Sequence, residues 1–176
     1  KNINGVLSAI VVCPTTLLSN WENEIKKFTP ELTYLIHHGP SRTVNADTLR
    51  DYNIIISTYG TLRSDVSMFI KDEWDYVILD ESQTIKNPTS KVAKAAQLIP
   101  CKNRFALSGT PMQNNTFDIF SQMNFLNPGM LGNKEFFKEQ FAKPVDKLQD
   151  EETKAHLRKL IYPFLLRRTK EQVARD

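Results

Sequence analysis

The chain has 176 residues, 40% apolar and 24% charged, an ordinary globular composition with length for one domain and a small appendage. No apolar run approaches the ~20 residues that span a bilayer, and the two cysteines, Cys13 and Cys101, form no CxxC unit, so membrane-embedded and disulfide-scaffold classes are set aside. The net charge of +3 is uneven: residues 1–133 carry 12 basic and 12 acidic residues and residues 134–176 carry 11 and 8, an excess that by itself describes a solvated face rather than a nucleic-acid surface.

Residues 9–13 (AIVVC) are apolar on both faces, the pattern of a parallel strand covered on both sides by helices. Over residues 18–28, Leu18, Trp21, Ile25 and Phe28 fall on one stripe, with Glu22, Glu24, Lys26 and Lys27 opposite. That predicts an amphipathic helix with Trp21 and Phe28 in the core. Residues 32–37 alternate more and predict an edge strand. The adjacent His37 and His38 would point to opposite faces of it and cannot share a metal. Residues 53–57 (NIIIS), 76–79 (YVIL) and 105–107 (FAL) are further strands of the buried kind. Between and after them, residues 90–99 and 117–126 predict helices, ended by Pro100 and by Asn127-Pro128-Gly129. Strand and helix alternate, so the fold class is α/β with a parallel sheet flanked by helices. After Gly132 no strand pattern occurs. Two charged amphipathic helices are expected near residues 135–141 and 151–161, with Pro144 separating them. The expected organisation is a sheet lobe over residues 1–128 and a helical protrusion over 129–176.

Polar clusters follow each buried strand: Pro14-Thr15-Thr16, Thr58-Tyr59-Gly60-Thr61, Asp80-Glu81-Ser82-Gln83 and Ser108-Gly109-Thr110-Pro111. Singly these are ordinary loop residues. In an open parallel sheet, however, ligands bind outside the carboxyl ends of the strands, and all four clusters belong to that one edge. Asp80 emerges at the mouth of its strand, where a carboxylate can hold a hydrated magnesium ion against nucleotide phosphates. Glu81 can orient an attacking water or take its proton. Acids also end strands merely because the chain surfaces there.

The order of the motifs carries more. VVCPTTLLSNWENEIKKF (11–28), IIISTYGTLRSDV (54–66), WDYVILDESQTIKNPTSKVAKAAQLI (74–99), FALSGTPMQNN (105–115) and FLLRRTKEQVARD (164–176) resemble the first motor lobe of Swi/Snf-type ATPases. These are superfamily 2 helicase-like enzymes that translocate along double-stranded DNA. The resemblance implies a RecA-like lobe, ATP and Mg2+ as cofactors, and double-stranded DNA as partner. It further implies a second motor lobe of the same parent chain, a protein remodelled or displaced on the DNA, and a nuclear or cytoplasmic (nucleoid) location. Carried residue by residue, Asp80 would bind Mg2+ through water, Glu81 would be the catalytic base, and Gln83 would close the DExx box, here DESQ where many relatives have His. Ser108, Gly109 and Thr110 match the motif linking the nucleotide site to DNA. Thr15, Ser19 and Asn20, then Thr58, Tyr59 and Gly60, and then Lys86 and Asn87 would face the DNA. Hydroxyls, helix-start amides and single lysines suit backbone contact without base reading.

A nucleotide motor also needs a phosphate loop, G-x-x-x-x-G-K-[ST], and none of the six glycines is followed by Lys. The resemblance places that loop before Lys1 and the arginine-bearing second lobe after Asp176. This chain alone is therefore expected to bind ATP weakly and to hydrolyse it negligibly, with part of its sheet left uncovered. Two other readings stay open: a non-catalytic DNA- or protein-binding module that keeps the lobe fold, and a strand-separating helicase of the same superfamily.

Overall fold

The computed structural model describes residues 7–109 and 116–167. Strands β1 (Ala9–Cys13), β2 (Tyr34–His37), β3 (Ile54–Thr58), β4 (Trp74–Leu79) and β5 (Cys101–Ala106) form one sheet in the order β2-β3-β1-β4-β5. Every pairing is parallel, with Ile10 opposite Ile55 on one side and Val77 on the other.

Side-chain alternation divides this sheet into two apolar faces. Ile10, Val12, Ile55, Val77 and Leu79 point to one of them. They cluster there with Leu62 of α2 (Tyr59–Ser64), Phe69 of α3 (Val66–Phe69), Ala93 and Ala96 of α4 (Lys91–Leu98) and Phe125 of α5 (Thr116–Leu126). Ala9, Val11, Cys13, Ile54 and Ile56 point the other way, onto Leu18 and Ile25 of α1 (Leu18–Phe28). Being needed on both faces is why β1 reads as an unbroken apolar run and β3 opens with three isoleucines. Helix starts use side-chain caps: Thr58 accepts from the Thr61 amide at α2, and Ser90 from the Ala93 amide at α4.

Two burial expectations are corrected. Phe28 is 65% exposed. It is the last residue of α1, and the Lys27 ammonium lies 4.9 Å from its ring centroid instead of core atoms. The strand expected at 105–107 runs over Cys101–Ala106, and it is a sheet edge rather than a doubly covered strand. Phe105 is 50% exposed and stacks on Tyr76 at 6.0 Å. Phe105 shares the α1 side of the sheet, since its register partner Ile78 packs there. α1 covers β1 and β3, leaving the β4–β5 end of that face partly open.

At the amino edge of the sheet, Asp75 accepts from the amide and hydroxyl of Ser8 and from the Lys102 ammonium at 2.6 Å. Lys102 first, then the Ser8 amide, hold its carboxyl down at about 2. The folded value lies below the ~3.9 of an unfolded aspartate, so the stabilisation is complete above roughly pH 5 and is lost as pH falls through about 2. Asp75→Asn is expected to cost about 1 kcal/mol at neutral pH, after allowance for solvent screening. In urea titrations it should flatten the loss of stability between about pH 4 and pH 2. A variant with the wild-type acid limb would remove Asp75 from that account.

Residues 132–176 form a second compact unit, the first being 1–131. There α6 (Lys134–Phe137) continues into π-helical turns over Lys138–Lys147. Pro144 lies inside this helix and does not separate two helices as expected. The wider turns relieve the clash of its ring with the preceding turn, and its carbonyl accepts from the amides of Leu148 and Asp150. Asp150 then caps α7 (Glu151–Ile161). Phe137 and Phe141 sit 5.4 Å apart, His156 stacks on Phe141, and Leu157 and Ile161 are buried within the unit.

Candidate functional site

From β1 the chain winds outward to β2, back to β3, and then across β1 to β4 and β5. The direction of winding reverses at β1, so the carboxyl ends of β1 and β4 form the topological switch point, where the crevice of such sheets takes its ligand. Ladder bonds extend the sheet past Leu79 into this crevice. The Asp80 amide donates to the Val12 carbonyl (2.8 Å), the Leu107 amide to Leu79 (2.7 Å) and the Ser82 amide to Leu107 (2.9 Å). Asp80 and Glu81 are thereby fixed at the mouth between β1 and β5.

Both carboxylates are half-buried and engaged. Asp80 Oδ2 accepts from the Trp21 indole at 2.9 Å, Oδ1 accepts from the Glu81 amide at 2.9 Å, and the Asp80 carbonyl accepts from the Tyr59 hydroxyl at 2.6 Å. Glu81 has a left-handed backbone, φ 51 and ψ 51, a conformation that costs a non-glycine residue energy and clusters at functional sites. Its Oε2 accepts from Gln83 Nε2 at 2.6 Å, and Gln83 Oε1 accepts from the Ser108 hydroxyl at 3.0 Å. Ser108, Gln83 and Glu81 thus form one hydrogen-bonded chain across the carboxyl ends of β4 and β5. Beneath it α5 braces the turn over Ser82–Ile85: the Ser82 hydroxyl donates to Gln122 Oε1 at 3.3 Å, and the Ser121 hydroxyl to the Ile85 carbonyl.

The donor set fits a hydrated cation. Each Asp80 oxygen holds one N–H and keeps lone-pair capacity for the hydrogen of a metal-bound water, the arrangement of a magnesium ion that retains its waters. No group of three or more His, Cys, Asp or Glu side chains is gathered for direct ligation among the described residues. Cys13 nearby is buried, and burial, then the Asp80 charge, push its thiol up to about 11. Burial and Asp80 also raise the Tyr59 phenol, so it stays protonated and donates.

Among the residues expected to face DNA, Thr15, Ser19, Asn20, Gly60, Lys86 and Asn87 are exposed. Asn87 also shapes its own turn, accepting from the Thr89 amide and hydroxyl. Thr58 and Tyr59 are buried, which corrects the expectation that their side chains reach outward. The physical reason is that α2 begins at this point: the Thr58 hydroxyl is consumed as its cap and the Tyr59 hydroxyl reaches Asp80. Only Gly60 of that triplet meets solvent. Ser108 and Gly109 are exposed, and Thr110 lies outside the described residues. A cavity of about 400 Å³ opens beside Thr15, His38, Arg42, Gly60 and Ser64 and does not include the two carboxylates. Trp21 packs partly buried against the α1-side cluster, in line with its place on the apolar stripe, and what sequence reasoning missed is the bond of its indole to Asp80. The available signal was the place of Trp21 in the first turn of a helix that leaves the carboxyl end of β1, with an indole N–H needing an acceptor.

The sequence pattern of the SNF2-related domain matches residues 1–176. The TATA-binding protein-associated factor MOT1 of Saccharomyces cerevisiae is 37% identical over 183 residues, covering 97% of this chain and 10% of that protein. The putative ATP-dependent helicase/translocase YwqA of Bacillus subtilis is 36% identical over 170 residues, covering 94% of this chain and 18% of that protein. Among solved structures, the Sulfolobus solfataricus SWI2/SNF2 ATPase core in complex with dsDNA superposes with a TM-score of 0.87 at 42% identity, covering 98% of this chain and 36% of that one. The chain therefore spans a minor part of each of these relatives.

Proposed function

This chain belongs to the SNF2-related domain family, and from that premise we propose that it is the first lobe of an ATP-dependent motor that moves along double-stranded DNA inside the cell. The observation that carries the reading is the Asp80–Glu81 pair at the topological switch point, wired through Gln83 to Ser108. A magnesium ion, when bound, neutralises phosphate charge and aligns the nucleotide. Asp80 would hold that ion through its waters. Glu81 Oε1 and Oε2 would orient the attacking water and take its proton, with Gln83 fixing the carboxylate. Ser108, Gly109 and Thr110 would report the state of the nucleotide to the DNA-facing edge.

On that edge Thr15, Ser19, Asn20, Gly60, Lys86 and Asn87 present hydroxyls, amides and one ammonium group. Such a set suits phosphate contact and carries no pattern for reading bases, as a motor indifferent to sequence requires. The Sulfolobus relative, solved in complex with dsDNA, supports this direction, and the TATA-binding protein-associated relatives support a protein on the DNA as the thing displaced.

The test is ATP turnover by the full-length protein with and without blunt duplex DNA, beside the 176-residue chain alone and a strand-displacement assay. Duplex DNA is expected to stimulate the full-length protein without unwinding, while the 176-residue chain shows negligible turnover, because phosphoryl transfer depends on charge stabilisation that the chain does not carry alone. Absence of turnover in the full-length protein, with or without DNA, would favour a non-catalytic binding module, turnover indifferent to DNA would count against a DNA motor, and strand displacement would favour a helicase.

A further inference from the structure

We propose that Trp21 is a positioning residue that ties DNA contact on α1 to the metal-side carboxylate, an inference that rests on the functional reading above. Trp21 directly follows Ser19 and Asn20, both exposed in the first turn of α1. Its indole spans 59 positions of sequence to donate to Asp80 Oδ2 at 2.9 Å. A second strand-end segment converges on the same residue, since Tyr59, beside the exposed Gly60, donates to the Asp80 carbonyl at 2.6 Å. Asp80 is thus held at its side chain and its backbone by the two segments that would face the duplex.

The other tryptophan shows what a merely structural indole does here. Trp74 is buried, and its N–H donates to the backbone carbonyl of Phe69 at 2.9 Å. The Trp21 indole instead spends its single donor on a carboxylate at the site of chemistry. An indole has no acceptor capacity and only one N–H, so the bond fixes which Asp80 oxygen is engaged and leaves the remaining lone pairs in a set direction. Hydrogen bonds to charged groups are stronger than neutral ones. A small movement of the α1 start on meeting a phosphate is then transmitted to Oδ2 through rigid indole geometry, without passing through the sheet.

The 176-residue chain holds two tryptophans, so its spectrum contains one reporting and one reference indole N–H. In 1H–15N spectra, mixed-sequence duplex DNA is expected to shift the Trp21 indole peak and leave that of Trp74 in place, and Mg2+ alone should also move the Trp21 peak. If DNA moves the Ser19 and Asn20 amides but not the Trp21 indole, the coupling is overturned while the functional reading stands. If DNA moves neither, the functional reading itself falls, and this one with it. In the full-length protein, Trp21→Phe should lower DNA-stimulated kcat by about tenfold while the KM for DNA changes by less than about twofold. Unchanged kcat, or a loss confined to KM, would overturn the assignment. The spectral arm needs no variant, so it decides the matter even where Trp21→Phe fails to fold.

Discussion

Glu81→Gln in the full-length protein is expected to reduce DNA-stimulated ATP turnover by roughly 10²- to 10⁴-fold, the range a positioned general base contributes. The substitution keeps the shape, the left-handed backbone and a partner for Gln83, and removes only the capacity to take a proton. Duplex binding should therefore survive, as should the fold. The measurement is steady-state turnover at saturating DNA, paired with DNA affinity by anisotropy. Turnover within about threefold of wild type would remove Glu81 from the role of base, because no hydrogen-bonding effect of an isosteric amide offsets a lost base of that size. The Ser108–Gln83–Glu81 chain sharpens the comparison: Gln83→Ala should weaken the carboxylate's orientation yet leave its basicity, and so sit between the two.

The largest stability effect should come from Phe125→Ala. Phe125 is fully buried in the cluster that includes Leu79, Ile85 and Ile99. The Arg104 guanidinium lies 5.0 Å from its ring centroid, and Arg104 also donates to the carbonyls of Phe125 (3.2 Å) and Ile99 (2.9 Å). One arginine on an edge strand thus clamps the ends of α4 and α5. Deleting a buried phenyl ring costs about 3–5 kcal/mol through lost transfer energy and the cavity left behind, a large share of the ~5–15 kcal/mol that holds a domain folded. Urea unfolding of the 176-residue chain should show a loss of unfolding free energy of that size, with Phe125→Leu in between. A loss below about 1.5 kcal/mol would mean that the site collapses around the gap, and that the core is less tightly specified than its burial indicates. The effect should also reach the functional edge, since Ile85 in the same cluster anchors the turn that presents Lys86.

What was legible beforehand follows from periodicity. Strands needed on both faces, such as β1 and β3, are mostly apolar along their length, so their runs announced themselves, and the polar residues toward the end of each marked the edge of the sheet. Asp80 and Glu81 were found that way, and the motif order named their family. Three things were not legible. Helix α2 was hidden because Thr58-Tyr59-Gly60-Thr61 has the composition of a loop, and only the cap geometry turns Thr58 into a helix start. The half-open state of Phe105 was hidden because apolarity reports what a residue prefers, not whether a neighbour covers it. Trp21 was assigned to packing because a stripe fixes the side of a helix a residue faces, while the acceptor at its far end lies 59 residues away. The local signal, an indole N–H at a helix start beside the carboxyl end of β1, calls for an acceptor without saying which one.

The left-handed backbone at Glu81 has an evolutionary side. A glycine there would relax a conformation that costs a side-chain-bearing residue about 1–2 kcal/mol, so the more stable protein is the one that has lost its base. Selection for folding alone would drift toward that glycine, and selection for turnover must oppose it in every generation. Engineering this lobe for heat resistance by consensus of stability would meet the same conflict at position 81 first. The residue that makes the chain a candidate motor is also the one that its own folding energy works to remove.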